Sequence, residues 1–183
     1  MHMKRLLRDE RGVSAVEFAL IAPIMILLYC GLAELTLAMM AERRASHAAS
    51  AVGDLIAQER GTISDNGITQ VLNVGKLVVS PFSAADLTMR ISSVQADPSG
   101  TPMVVWSKAQ GAALSPLQTG VTPLGFPTTL LAANESVIMS DVVYAYETPL
   151  KKVVNRKLHF SETFYLRPRR ADEIVCTDCP AVP

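Results

Sequence analysis

Two carboxylates, Glu17 and Glu34, bracket a stretch from Phe18 to Ala33 that contains no charged residue. An ionised acid inside a membrane-length apolar segment costs roughly 2.5–3.5 kcal/mol on insertion scales, so its presence points to a function and to a partner of opposite charge. The chemistry open to such a group is pairing and positioning. A second pair of reactive side chains, Cys176 and Cys179, has the Cys-x-x-Cys spacing near the end of the sequence. In a soluble region with no other cysteine, that spacing fits a short structural disulfide formed in an oxidising compartment. A zinc site would need two more ligands, and His47 and His159 stand at no recognisable ligand spacing. A thioredoxin-type redox centre would need the pair at a helix start behind a strand of a βαβ unit, and the surrounding pattern is not of that kind. Cys30, inside the apolar run, reads as a small apolar side chain.

The remaining residues offer no convergent chemistry. His2, His47 and His159 are scattered, and the sequence has no Gly-rich phosphate loop, no nucleophile elbow and no helical His-Glu metal motif. Neither an enzyme nor a cofactor, a metal or a small-molecule substrate is therefore expected. The formal net charge over 183 residues is zero, with 17 basic and 17 acidic residues. Residues 1–12 hold four of the basic and two of the acidic ones, which leaves 13 against 15 for the rest. A neutral to slightly acidic body has no electrostatic footprint for nucleic acid.

The elements that would carry these residues follow from periodicity. Residues 1–12 form a basic leader containing Lys4, Arg5, Arg8 and Arg11, which favours a cytoplasmic N-terminus. Arg43 and Arg44 weaken that asymmetry from the other side of the apolar run. Val13 to Met40 is 28 residues, about 42 Å as a helix, whereas a bilayer core needs roughly 20 residues. Residues 13–40 are thus expected to be a transmembrane helix, and residues 41–183 an exported, periplasmic domain. Pro23 removes a backbone donor and crowds the carbonyl of Ala19, so a kink is expected there. The helix should continue past the membrane, because Ala41, Ala45, Ala48, Val52, Leu55 and Ile56 recur at three- and four-residue spacings up to a stop at Gly61.

Ser64-Asp65-Asn66 is an N-cap pattern for a second helix with Ile68, Val71, Leu72, Val78 and Val79 on one face, ended by Pro81. Leu87, Met89 and Ile91 then alternate with Thr88, Arg90 and Ser92, which predicts a strand with one wet face. The turn Asp97-Pro98-Ser99-Gly100 leads into a partner strand at Met103–Ser107. A Pro- and Gly-rich surface loop is expected from Gly111 to Thr129. Ser136–Tyr146 reads as a central strand covered on one side by a helix. Leu158–Leu166 reads as an antiparallel strand that turns Leu158, Phe160, Phe164 and Leu166 inward, with Glu162 interrupting that face. Lys151, Lys152, Arg156, Lys157, Arg167, Arg169 and Arg170 make a basic region whose plain reading is a solvated face, with a docking patch for an acidic partner or anionic lipid as the sharper one. The fold class is α+β: one long N-terminal helix, transmembrane in its first half, with an antiparallel sheet of about four strands packed on its outer half.

A basic leader, Gly12, four residues, Glu17-Phe18 and a long apolar helix together resemble the pilin-like proteins cut by a prepilin peptidase. The run Gly-Val-Ser-Ala-Val-Glu-Phe-Ala-Leu-Ile-Ala-Pro from Gly12 to Pro23, with Gly31 and Glu34 closing the apolar segment, resembles the TadE-like family, minor pseudopilins of the tight-adherence (Tad, type IVc) pilus. Val104-Val105-Trp106-Ser107 and Tyr144-Ala145-Tyr146-Glu147-Thr148-Pro149 are similar to the family's strand pattern. The resemblance implies cleavage between Gly12 and Val13 by a prepilin peptidase and an assembly contact through Glu17, Phe18 and Glu34. It also implies partnership with other pilins and the inner-membrane pilus platform, in the inner membrane. For Glu34, snorkelling or pairing with Arg43 competes with the assembly role. An uncleaved single-pass protein with a partner-binding periplasmic domain is the alternative.

Overall fold

The computed structural model describes residues 12–148, 157–180 and 182. Most of the expected leader, and Lys151, Lys152 and Arg156 of the basic region, lie outside the described residues. The chain divides into two compact units, Met1–Met39 and Met40–Pro183.

A single helix, α1, runs over Val13–Ala57 for 45 residues, which matches the sequence-based expectation closely, and it is continuous through Pro23. Leu, Ala, Ile and Met dominate it, and these residues lose little rotamer freedom in a helix. In the first unit, among the described residues, nothing covers the helix: Phe18, Leu20, Ile24, Leu28 and Tyr29 are between 64% and 73% exposed. An apolar surface of that size on all sides of a helix identifies lipid or other protein as its solvent rather than water.

In the second unit the same helix turns a stripe of small residues inward. Ala41, Ala45, Ala48, Val52 and Ile56 are buried, with Ala49 and Ala57 beside them. Leu55, expected on this stripe, is 39% exposed instead, because its position falls past the edge of the face that Val52 and Ile56 define. A short strand β1 (Thr62–Ile63) follows, and then α2 (Asp65–Val78). Ser64 caps α2 as its sequence signals, the hydroxyl accepting the amide of Gly67 at 3.1 Å. Ile68, Leu72 and Gly75 form its buried face.

Four strands form the main sheet: β2 (Leu87–Ala96), β3 (Pro102–Gln110), β4 (Ser136–Glu147) and β5 (Lys157–Leu166). Their spatial order is β3-β2-β4-β5, all antiparallel, so β4 is central as expected. The β2–β3 turn is built by Asp97, whose Oδ1 accepts the amides of Ser99 and Thr101 at 2.8 Å each, while Gly100 takes φ +85°. Those hydrogen bonds, with that from the Ser99 hydroxyl first among them, hold the Asp97 carboxyl below its ordinary range.

The helices cover one face of the sheet. Ser140 donates its hydroxyl to the Ala49 carbonyl at 2.8 Å, and a Cβ on Gly75 would strike both Met89 and Val52. The other face departs from the sequence-based expectation. Thr88, Arg90 and Ser92 were expected on a wet face, yet Thr88 and Ser92 are buried and Arg90 is half-buried. The segment after β3 folds back over them: Phe126 and Leu131 close a second apolar cluster with Val94, Val104, Val137 and Met139. The polar groups beneath it are satisfied. Ser92 and Ser107 share a hydrogen bond at 2.8 Å, and Ser107 also accepts the amide of Leu117. Arg90 pairs with Asp141 at 2.9 Å, and Asp141 accepts the Thr163 hydroxyl at 2.7 Å. Gly111 to Thr129 is the expected surface loop, mostly exposed, and it turns Pro123 and Phe126 inward as part of the cover on this face.

A last strand, β6 (Val175–Cys176), pairs in parallel with β1. Neither member of this two-residue pair was anticipated from the sequence. Together they tie the chain's end to the start of α2, where the Asp65 amide donates to Asp178 at 2.6 Å.

Candidate functional site

Most of the residues with functional promise lie on α1. Gly12 immediately precedes the helix, and Val13 is its first residue. Glu17 is one turn farther on, about 6 Å along the axis at the helical rise of about 1.5 Å per residue. Its side chain is exposed, as is that of Phe18, which is 73% exposed. Among the described residues, no cation of the chain forms an ion pair with Glu17. Glu34 lies 17 positions beyond Glu17 on the same helix and is half-buried. The carboxylates thus stand near the two ends of an uncharged apolar face, about 26 Å apart along the helix axis. That arrangement can pair, anchor and orient.

The second unit contributes cavities. A groove of about 510 Å³ is lined by Glu42, Arg43, Ser46, His47 and Ser50 of α1 and by Glu162 and Phe164 of β5. A recess of about 320 Å³ adjoins it, formed by Met40, Arg43, Arg44 and His47. Among the described residues, no group of three or more His, Cys, Asp and Glu side chains converges as a metal site.

Cys176 and Cys179 are joined by a disulfide, with Cα atoms 5.5 Å apart. Asp178, inside the loop it closes, is the residue that accepts the Asp65 amide at the start of α2. The disulfide thus sits in the structural strap at the chain's end, where the indole N–H of Trp106 also donates to the Ile174 carbonyl at 2.7 Å. Trp106 and Ile174 carry no periodic sequence signal that relates them; only the folded topology brings them together.

Of the four described residues of the basic region, three enter separate ion pairs, and exposed Arg170 enters none among the described residues. Lys157 pairs with Glu147, Arg167 with Glu135, and Arg169 with Asp54. The Glu147 hydrogen bond holds the Lys157 ammonium above its ordinary range. The Ala132 amide, followed by Arg167, holds the Glu135 carboxyl below its own. A solvated, internally neutralised face accounts for these residues.

Residues 12–54 match the family described as TadE-like protein. The N-terminal segment is TadE-like. No curated protein and no solved structure matches the chain significantly. The TadE-like match begins at Gly12 and takes in Glu17, Phe18, Pro23 and Glu34, together with the first part of the helical stripe that packs on the sheet. Among the described residues, one helix, α1, is long and apolar enough to cross a membrane, and the TadE-like match lies along it.

Proposed function

We propose that this chain is a non-catalytic, membrane-anchored pseudopilin in the assembly of a Tad adhesive pilus, matured by a prepilin peptidase that cuts between Gly12 and Val13. The observation that carries the reading is the position of the family match on α1. It coincides with a helix whose first half is largely exposed and free of charge from Phe18 to Ala33, with Glu17 one turn from Val13 and Glu34 at the far end of that run.

Cleavage after Gly12 would create a charged α-amino group at Val13. Within one chain, Glu17 lies one turn from that amine, within the range at which helical neighbours interact. Between chains, the same carboxylate pairs with the amine of a neighbouring helix, and the cost of a lone intramembrane charge favours the docked state. Glycine at the cut leaves the backbone open to the peptidase because it has no side chain in the way. The periplasmic domain then acts as a scaffold on the outer half of the helix, and other pilin-like subunits and the inner-membrane platform are the partners. Pro23 supplies a point where the helix can loosen, since residue 19 lacks its usual backbone donor.

The test is the Gly12→Ala variant expressed with the native peptidase. Full-length precursor should accumulate in the membrane fraction, whereas the parent chain matures. Unchanged maturation of the variant would remove Gly12 from the cleavage site.

A further inference from the structure

The two arginines that follow the apolar run have no place in the proposed cleavage or pairing chemistry. Arg43 and Arg44 are exposed and, among the described residues, enter no ion pair, as is also true of Arg60, Lys76 and Arg170. On a translocated segment, arginines beside a membrane helix oppose the usual charge asymmetry, so their position needs a compensating interaction. We propose that Arg43 and Arg44, with His47, form a binding site for the phosphate of an anionic phospholipid headgroup in the outer leaflet of the inner membrane. The inference rests on the membrane-anchor reading of α1.

Spacing and direction support it. Taking Phe18 as the first core residue, about 20 residues of helix, to Leu37, fill a hydrocarbon core of roughly 30 Å. Arg43 then begins about 9 Å farther along the helix, in the headgroup zone. Helical side chains lean toward the helix N-terminus, which here is the membrane side, so both guanidinium groups reach back toward the phosphates. Met40, Arg43, Arg44 and His47 follow at three- and four-residue intervals and line one recess of about 320 Å³. That places an apolar side chain on the lipid side of three nitrogen-bearing ones. Guanidinium is the group whose fork of donors matches phosphate oxygens. Glu42 and Glu162 share the adjoining groove with Arg43 and His47, whereas no carboxylate lines the recess itself.

The test uses the full-length chain purified in detergent, incubated with equal amounts of phosphatidylglycerol and phosphatidylcholine, and analysed by native mass spectrometry. Each arginine near an anionic surface adds about fivefold in affinity, so the pair should enrich phosphatidylglycerol roughly 25-fold through this site. Arg43→Gln/Arg44→Gln should lose most of that enrichment, while Arg60→Gln/Arg170→Gln, which removes as much charge from exposed positions elsewhere, should keep it. An unchanged preference in the first variant, or an equal loss in the second, would overturn the site. Displacement of the lipid by millimolar inorganic phosphate would assign the recess to a free anion and also overturn it. Extraction of the chain from its membrane by alkaline carbonate, without detergent, would instead refute the anchor reading on which the inference stands.

Discussion

Gly53 is where the outer half of α1 meets the sheet, and replacing it tests whether that contact organises the domain. A Cβ at this position would lie 2.6 Å from Leu166 Cδ1 and 3.1 Å from Ser140 Cβ. The two neighbours differ in their ability to yield. Leu166 is half-buried on the edge strand, so its terminal methyl can swing away, whereas Ser140 is fully buried and its hydroxyl is held by the Ala49 carbonyl. For Gly53→Ala, the gain in helix propensity is about 1 kcal/mol and overpacking costs about 1–3 kcal/mol, which leaves a net loss of roughly 0–2 kcal/mol. Gly53→Leu adds three further carbons with no space for them. The helix must rise from the sheet, and losing the Ser140 bond costs about 1 kcal/mol more. The expected total is about 2–4 kcal/mol, a fall in melting temperature of about 5–15 °C for a domain of this size. Thermal unfolding of the full chain in detergent, followed by emission of the single tryptophan, reads this directly, because Trp106 is buried in β3. A Gly53→Leu protein that melts within about 2 °C of the parent chain would refute helix–sheet docking at this position.

Asp141→Asn should destabilise the domain by about 2–4 kcal/mol, somewhat below the usual cost of breaking a buried pair because the Arg90 side chain keeps 16% exposure. Arg90→Met/Asp141→Leu should recover most of that loss in a chemical denaturation series, and failure to recover any would show that the pair is not the cause. Burial first, and the charge of Asp86 second, raise the Tyr144 hydroxyl above the ordinary value of 10.0, and burial likewise raises Tyr165. Above about pH 10 the unfolded chain loses these protons while the folded chain keeps them, so stability must fall as pH rises through that window. Tyr144→Phe/Tyr165→Phe should flatten the alkaline fall in denaturation midpoint, and an unaltered slope would contradict the assignment. Glu17→Ala should leave cleavage largely intact while abolishing pilus assembly; normal piliation of that variant would remove its pairing role.

The long helix was legible because its signals are local. An uncharged run, an alanine-rich stripe continuing past Met40 and a glycine at position 61 agree on one element, and Ser64 states the start of the next. The sheet was legible to the extent that alternation reports burial. Leu87, Met89 and Ile91 lie on the helix-covered face as their period requires. The same logic misread Thr88, Arg90 and Ser92, since polar side chains in alternation look alike whether they meet water or a polar network beneath a returning segment. That network depends on Asp141, Ser107 and Ser115, which lie 15 to 51 positions away in sequence. The pairing of β1 with β6 was invisible for a simpler reason: two residues carry no period. On α1, the candidate residues were found through cost, because a carboxylate in an apolar run must have a reason. In the sequence Arg43 and Arg44 read as a weakening of the charge asymmetry, and Arg43 as a partner for Glu34; the structure adds that both line a recess and, among the described residues, enter no ion pair.

The claim on which the account turns is that the helix begins its functional life at Val13. Intact-mass and N-terminal analysis of the protein from native membranes, and separately from sheared filaments, tests it most directly. A mature chain that starts at Val13 is expected in the membrane fraction. Recovery of only full-length chain, retaining Gly12 and the residues before it, from cells with an active prepilin peptidase would contradict it.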